Sequence, residues 1–119
     1  MKKRYRLRRQ GDFQATMNGR RFFSGRALVG FAVPREAGDG RVGVTVSRAV
    51  RSSVDRNRAR RRLREVSRAE LFGADSPLRE VGIRYDVVLI ARPAALTVSF
   101  AELKAEASQA ALRLASMNA

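Results

Sequence analysis

The side chains whose type and spacing could do chemistry are concentrated in one arginine-rich segment, between Arg51 and Arg68. It holds eight arginines against two acids, Asp55 and Glu65. Guanidinium groups make forked hydrogen bonds to phosphate oxygens, so the segment predicts binding of a polyanion. The alternative is a solvated charged face. However, positive charges this close together repel one another, which favours a segment that binds a negatively charged partner.

Helical periodicity divides this segment into two faces. Ala59, Leu63 and Val66 recur at i, i+4 and i+7, which predicts a narrow apolar stripe packed on a core. Ser52, followed three residues later by Asp55, predicts the helix N-terminus. A second face carries the polar and basic side chains Asn57, Arg60, Arg61, Arg64 and Arg68.

Composition narrows the classes of function. The 119-residue chain has 25 basic and 11 acidic residues, a net charge of +14, and nucleic acid is the first candidate partner. Codon bias could explain the preference for arginine over lysine, but it does not explain the net charge. The chain has no histidine or cysteine. We therefore expect no catalytic residue and no metal site in the protein itself.

Targeting signals are also not evident. The basic N-terminus lacks the apolar stretch of a signal peptide. The aliphatic run 87–91 is too short to span a bilayer. These features predict a cytoplasmic protein with neither a membrane partner nor a small-molecule substrate.

The elements that must position the arginines form a single predicted domain over 1–119, of which 1–9 is a basic arm. A helix is expected from Gln10 to Asn18, with Phe13 and Met17 on one face. The runs 27–33 and 41–47 read as strands, and the glycine-rich connection suggests an antiparallel pair. The apolar run 86–92 suits the middle of a sheet. Ser99 and Glu102 predict a capping box before the final helix.

This order of elements predicts an α+β fold, a small two-layer sandwich with helices on a sheet. The arginine-rich helix would connect the 41–47 strand to the 86–92 strand. If those strands are parallel, the general rule predicts a right-handed crossover.

The motifs also resemble the protein subunit of bacterial ribonuclease P. The resemblance rests on "LRRQGDF", "RVGVTVSR", "VDRNRARRRLRE" and "DVVLIAR", which occur in the order expected for that family and span almost the whole chain. It implies a mixed four-stranded sheet similar to a domain of one ribosomal protein. It also implies that the crossover is left-handed, against the general rule.

The resemblance implies a role in removing the 5′ leader of precursor tRNA. The catalytic groups and most Mg²⁺ sites would belong to the RNA subunit, so the partners would be ribonuclease P RNA and precursor tRNA. The implied contacts to the catalytic RNA come from the arginine-rich helix: Arg56, Asn57, Arg58, Arg60, Arg61, Arg64 and Arg68. A cleft for the leader would involve Phe13, Met17, Phe31, Ser47 and Arg48.

Some positions depart from the family pattern. Ala49 and Arg51 stand where a basic residue and a glycine are usual, which puts the turn before the arginine-rich helix in question. Met17 replaces a frequent aromatic residue. Core packing remains an alternative for Phe13 and Met17. A non-catalytic ribosomal or RNA-assembly protein remains the alternative function, and a DNA-binding protein would lack the usual helix-turn-helix.

Overall fold

The computed structural model describes residues 6–7, 10–35, 40–79 and 81–117. The elements follow one another as α1 (Gln10–Met17), β1 (Arg20–Ser24), β2 (Leu28–Pro34), β3 (Arg41–Val46), α2 (Ser53–Phe72), β4 (Tyr85–Ala91), a 3₁₀ turn (Pro93–Leu96) and α3 (Phe100–Met117). The α+β class and the mixed four-stranded sheet are therefore confirmed.

The strands lie in the order β1-β2-β4-β3. β4 is antiparallel to β2 and parallel to β3, so the runs 27–33 and 41–47 are not neighbours and the predicted hairpin is wrong. The apolar run of β4 explains why this strand lies between β2 and β3, because Val87, Val88 and Leu89 have no exposed surface. A strand buried on both faces belongs in the middle of a sheet. The hand of the β3–α2–β4 connection stays a prediction.

One face of the sheet carries the main core. α2 and α3 pack there over alternate residues of the strands, including Val42, Val44, Val87 and Leu89. The apolar stripe of α2 is confirmed, since Ala59 and Leu63 are fully buried and Val66 is 1% exposed. The stripe is also narrow, which leaves most of the circumference of α2 for charged residues.

The opposite face of the sheet carries α1. The ring of Phe13 lies against Gly43, where an added Cβ would come within 2.5 Å of it. Position 43 therefore has room only for a hydrogen, which lets the Phe13 ring of α1 pack directly against β3. Leu7 is also buried, and its amide donates to the Val42 carbonyl at 3.0 Å. The rest of the predicted basic arm, residues 1–5 and 8–9, lies outside the described residues.

Both predicted helix caps are present. The Ser52 hydroxyl accepts from the Asp55 amide at 3.0 Å, and the Ser99 hydroxyl accepts from the Glu102 amide at 3.1 Å. None of the helices in the described part of the chain has the length and hydrophobicity of a transmembrane span.

Candidate RNA interface

The outward side of α2 forms a shallow groove of about 380 Å³. Its walls are Val54 and four polar side chains, which we call the arginine face: Asn57, Arg60, Arg61 and Arg64. Arg60 donates to the side-chain oxygen of Asn57 at 3.0 Å. The helical spacing thus brings together four of the residues predicted to bind RNA. Their guanidinium groups face solvent, where phosphate oxygens could reach them.

Three residues of the predicted set lie outside this groove, and two of them, Arg58 and Arg68, are exposed. Arg68, one turn beyond it, pairs with Glu65 at 3.0 Å, and both side chains are more than half exposed. Such a pair contributes little to stability, so Arg68 remains available to a phosphate. Arg58 is exposed on α2 but does not line the groove.

Arg56 has a different environment from the arginine face. Its guanidinium donates to the carbonyls of Ser47 and Val50 at 2.9 Å and to that of Val46 at 3.1 Å. These carbonyls belong to the end of β3 and to the turn that follows. Arg56 therefore fixes the start of α2 to the sheet through charge-assisted hydrogen bonds.

Arg62 is likewise turned inward. It donates to the carbonyls of Ala95 at 2.6 Å and Val98 at 2.8 Å, and so fixes α2 to the segment before α3. The sequence contains a signal for both inward arginines. Arg56 lies three residues before Ala59 and seven before Leu63. Arg62 lies three residues after Ala59 and four before Val66, so each is at helical spacing from two residues of the apolar stripe.

The turn between β3 and α2 forms without a glycine. The Ser47 hydroxyl accepts from the Ala49 amide at 3.2 Å, and the Ser47 carbonyl accepts from the Val50 amide at 3.1 Å. Among the described residues, no side-chain-bearing position has a positive φ. Ala49 and Arg51 are therefore compatible with the turn, and Arg51 is exposed at its end.

A larger cleft of about 690 Å³ lies between α1 and the sheet. It brings together four of the five residues predicted for the leader: Phe13, Met17, Ser47 and Arg48. Phe31 is not among the lining residues. It lies on β2, two strands away from β3, and pairs with Val88.

Residues that the prediction of a leader cleft did not include also line it: Gln10, Gln14, Val44, Thr45, Val46, Arg56 and Ile90. The glutamines belong to the helical wall, and Thr45 and Ile90 lie on neighbouring strands. The cleft thus combines a ring and a thioether with amides, hydroxyls and guanidinium groups. That mixture could stack bases and hydrogen-bond a sugar–phosphate chain.

An ionic network holds the helical wall of the cleft in place. Arg41 on β3 donates to Asp86 on β4 at 2.7 and 3.1 Å, and to Asp12 on α1 at 3.3 Å. Arg35 also contacts Asp86, at 3.4 Å. Asp86 is therefore a salt-bridge partner of two arginines. The network joins α1 to two strands.

The network shifts the pKa values of Arg41 and Asp86. The hydrogen bond to Asp86 raises the pKa of Arg41, and the charges of Asp86 and Asp12 add to this against the opposing effect of burial. Burial works to raise the pKa of Asp86, but hydrogen bonds and charges from Arg41 and Arg35 outweigh it and hold that pKa below its ordinary value. Asp86 is therefore an ionised structural group. Within the described ranges, no cluster of three or more acidic side chains could hold a metal ion.

Comparison with known proteins gives a consistent assignment. A family model described as Ribonuclease P matches residues 1–115. The ribonuclease P protein component of Acidothermus cellulolyticus is 41% identical over 87% of this chain and 82% of its own length. That of Streptococcus pneumoniae is 32% identical, over 87% and 79% respectively.

Solved structures share the fold. The RNase P protein of Staphylococcus aureus superposes with a TM-score of 0.67, at 23% identity, over 97% of this chain and 98% of its own. The RNase P protein of Thermotoga maritima gives a TM-score of 0.68, at 22% identity, over 91% and 96%.

Proposed function

The chain belongs to the bacterial ribonuclease P protein family, the protein component of a tRNA-processing endoribonuclease, and we propose that each of its two surfaces binds a different RNA segment. The arginine face binds the catalytic RNA, and the cleft beside α1 receives the single-stranded 5′ leader of precursor tRNA. Catalysis and Mg²⁺ binding are assigned to the RNA subunit. The complex would act in the cytoplasm, without a membrane or small-molecule partner.

The observation that carries this proposal is the junction of the two surfaces at the turn 47–50. Ser47 and Arg48 line the cleft, while α2 begins a few residues later and presents the arginine face. Arg56 contacts the turn and also lines the cleft. A structured RNA on α2 would therefore place its substrate's single strand next to the cleft.

The chemistry of the chain supports a binding role. It has no histidine or cysteine to serve as base or nucleophile. The net charge of +14 favours a polyanion. Binding through phosphates releases counterions, so affinity should fall steeply with salt.

The test is cleavage of a 5′-extended precursor tRNA by a bacterial ribonuclease P RNA at low Mg²⁺, with and without this protein. We expect cleavage only when RNA and protein are combined, and none with the protein alone. Binding without rescue of cleavage would favour the ribosomal or RNA-assembly alternative.

A double variant tests the arginine face separately. Changing Arg60 and Arg61 together to alanine should leave folding intact, because neither side chain supports the core. It should weaken binding of the RNA subunit and reduce the slope of log affinity against log salt by about one for each phosphate that the variant no longer neutralises. An unchanged slope would remove this face from the proposal.

A further inference from the structure

Val54 is an apolar side chain on a charged surface. Among the described residues it is the most exposed large hydrophobic, with 76% of its surface accessible. It precedes Asn57 by three residues and Arg61 by seven, which places all three on the same side of α2. It contributes nothing to the core, so its role within the fold is not packing.

The groove beside Val54 has room for more than a phosphate. Its volume of about 380 Å³ falls within the range of small-molecule sites, roughly 300–1,000 Å³. One wall is aliphatic, and the others carry an amide and three guanidinium groups. Because the Asn57 oxygen accepts from Arg60, the amide nitrogen is left to donate outward.

We propose that this groove holds an unpaired nucleotide of the RNA bound by α2, with its base against Val54. The inference deepens the proposed function and rests on it. A regular A-form duplex presents phosphates and 2′-hydroxyls, which gain nothing from a valine. An unstacked base offers an apolar face to Val54, a face for guanidinium stacking and an edge for the Asn57 amide. α2 would therefore recognise a bulge or loop in preference to an uninterrupted helix.

The experiment compares two short RNA duplexes of the same sequence, one uninterrupted and one with a single unpaired nucleotide near its centre. Binding of the full-length protein is measured across a salt series. We expect the bulged duplex to bind about three- to tenfold more tightly, the gain from burying one valine-sized apolar contact. The two salt slopes should be equal, because the extra contact is uncharged.

The Val54→Ala variant should lose most of this preference and keep only the part that arginine stacking and the Asn57 amide supply. Alanine favours a helix, so folding should be unchanged. The control is Leu112→Ala, which removes a 57% exposed aliphatic side chain from α3, outside the groove. It should keep the preference for the bulge.

Failure of this inference can be separated from failure of the proposed function. Equal wild-type affinity for the two duplexes, or equal weakening of both by Val54→Ala, would overturn the nucleotide site while leaving the arginine face in place. If the Arg60 and Arg61 double variant bound both duplexes like the wild type, the proposed interface itself would be wrong, and the nucleotide site with it.

Discussion

At the scale of single residues, the arginines of α2 differ in what they contact. Arg56 donates to three main-chain carbonyls, whereas Arg60 lies on the outward face. We predict that Arg56→Lys destabilises the protein by about 1–3 kcal/mol, since lysine keeps the charge but cannot satisfy all three acceptors. Arg60→Lys, the matched control, should change stability by less than about 0.5 kcal/mol. Urea unfolding of both variants measures this, and equal midpoints would contradict it.

Periodicity alone predicts part of the division between inward-facing and outward-facing arginines on α2. The spacing of Asn57, Arg60, Arg61 and Arg64 identified a shared face, and the groove confirms that they meet. The family resemblance does not predict the inward position of Arg56, because it implies RNA contact for the whole arginine-rich motif. The spacing of Arg56 from Ala59 and Leu63 places it beside the apolar stripe. Because arginine occurs on both the inward and the outward side of α2, residue type alone does not show which arginines stabilise the fold. RNA contact by Arg56 stays a prediction.

At the scale of elements, the position of α1 depends on the network around Arg41. The lowered pKa of Asp86 means that its contribution to stability is present above its unfolded pKa, about 3.9, and is lost as pH falls through the folded value. We predict that Asp86→Asn is less stable than the wild type at neutral pH and that the difference shrinks below about pH 4. Denaturant unfolding across that range measures it.

A difference in stability that stayed constant down to about pH 2–3 would show that Asp86 is not stabilised as an ion. Glu65→Gln is the control. Glu65 makes one exposed pair with Arg68, and replacing it should change stability little at any pH.

Elements were easier to predict than their pairing. The strands 27–33, 41–47 and 86–92 and the three helices are all present within a few residues. β1 is short, begins with two arginines and contains an irregularity between Arg21 and Phe23, so its alternation is weak in the sequence. The insertion of β4 between β2 and β3 is a long-range choice. It follows from the burial of β4 on both faces. The apolar run in the sequence indicates this burial, but it does not show between which two strands β4 lies.

At the scale of the whole molecule, three acidic side chains are engaged away from the arginine face. Asp12 and Asp86 are held in the network beneath α1, and Glu106 accepts from the amides of Ala27 and Leu28. These three carboxylates therefore do not neutralise the arginine face, whose positive charge can be neutralised by a partner. Contact between α2 and RNA stays a prediction of the family resemblance. The resemblance also implied the cleft, but its full set of lining residues needed the fold, because its walls come from segments that are distant in sequence.

The positive charge of the arginine face predicts opposite effects of salt on the free protein and on its RNA complex. Salt screens repulsion among the arginines, so the thermal midpoint of the free protein should rise with ionic strength. The same salt should weaken RNA binding, because counterions released into concentrated salt gain less entropy. Replacing Arg60, Arg61 and Arg64 together by glutamine should flatten both dependences, as glutamine keeps helix propensity while removing charge. Thermal unfolding and RNA titration over one NaCl series would measure both. A midpoint that does not rise with salt would mean that repulsion on this face costs the free protein little, and that the fold tolerates the arginines without a partner.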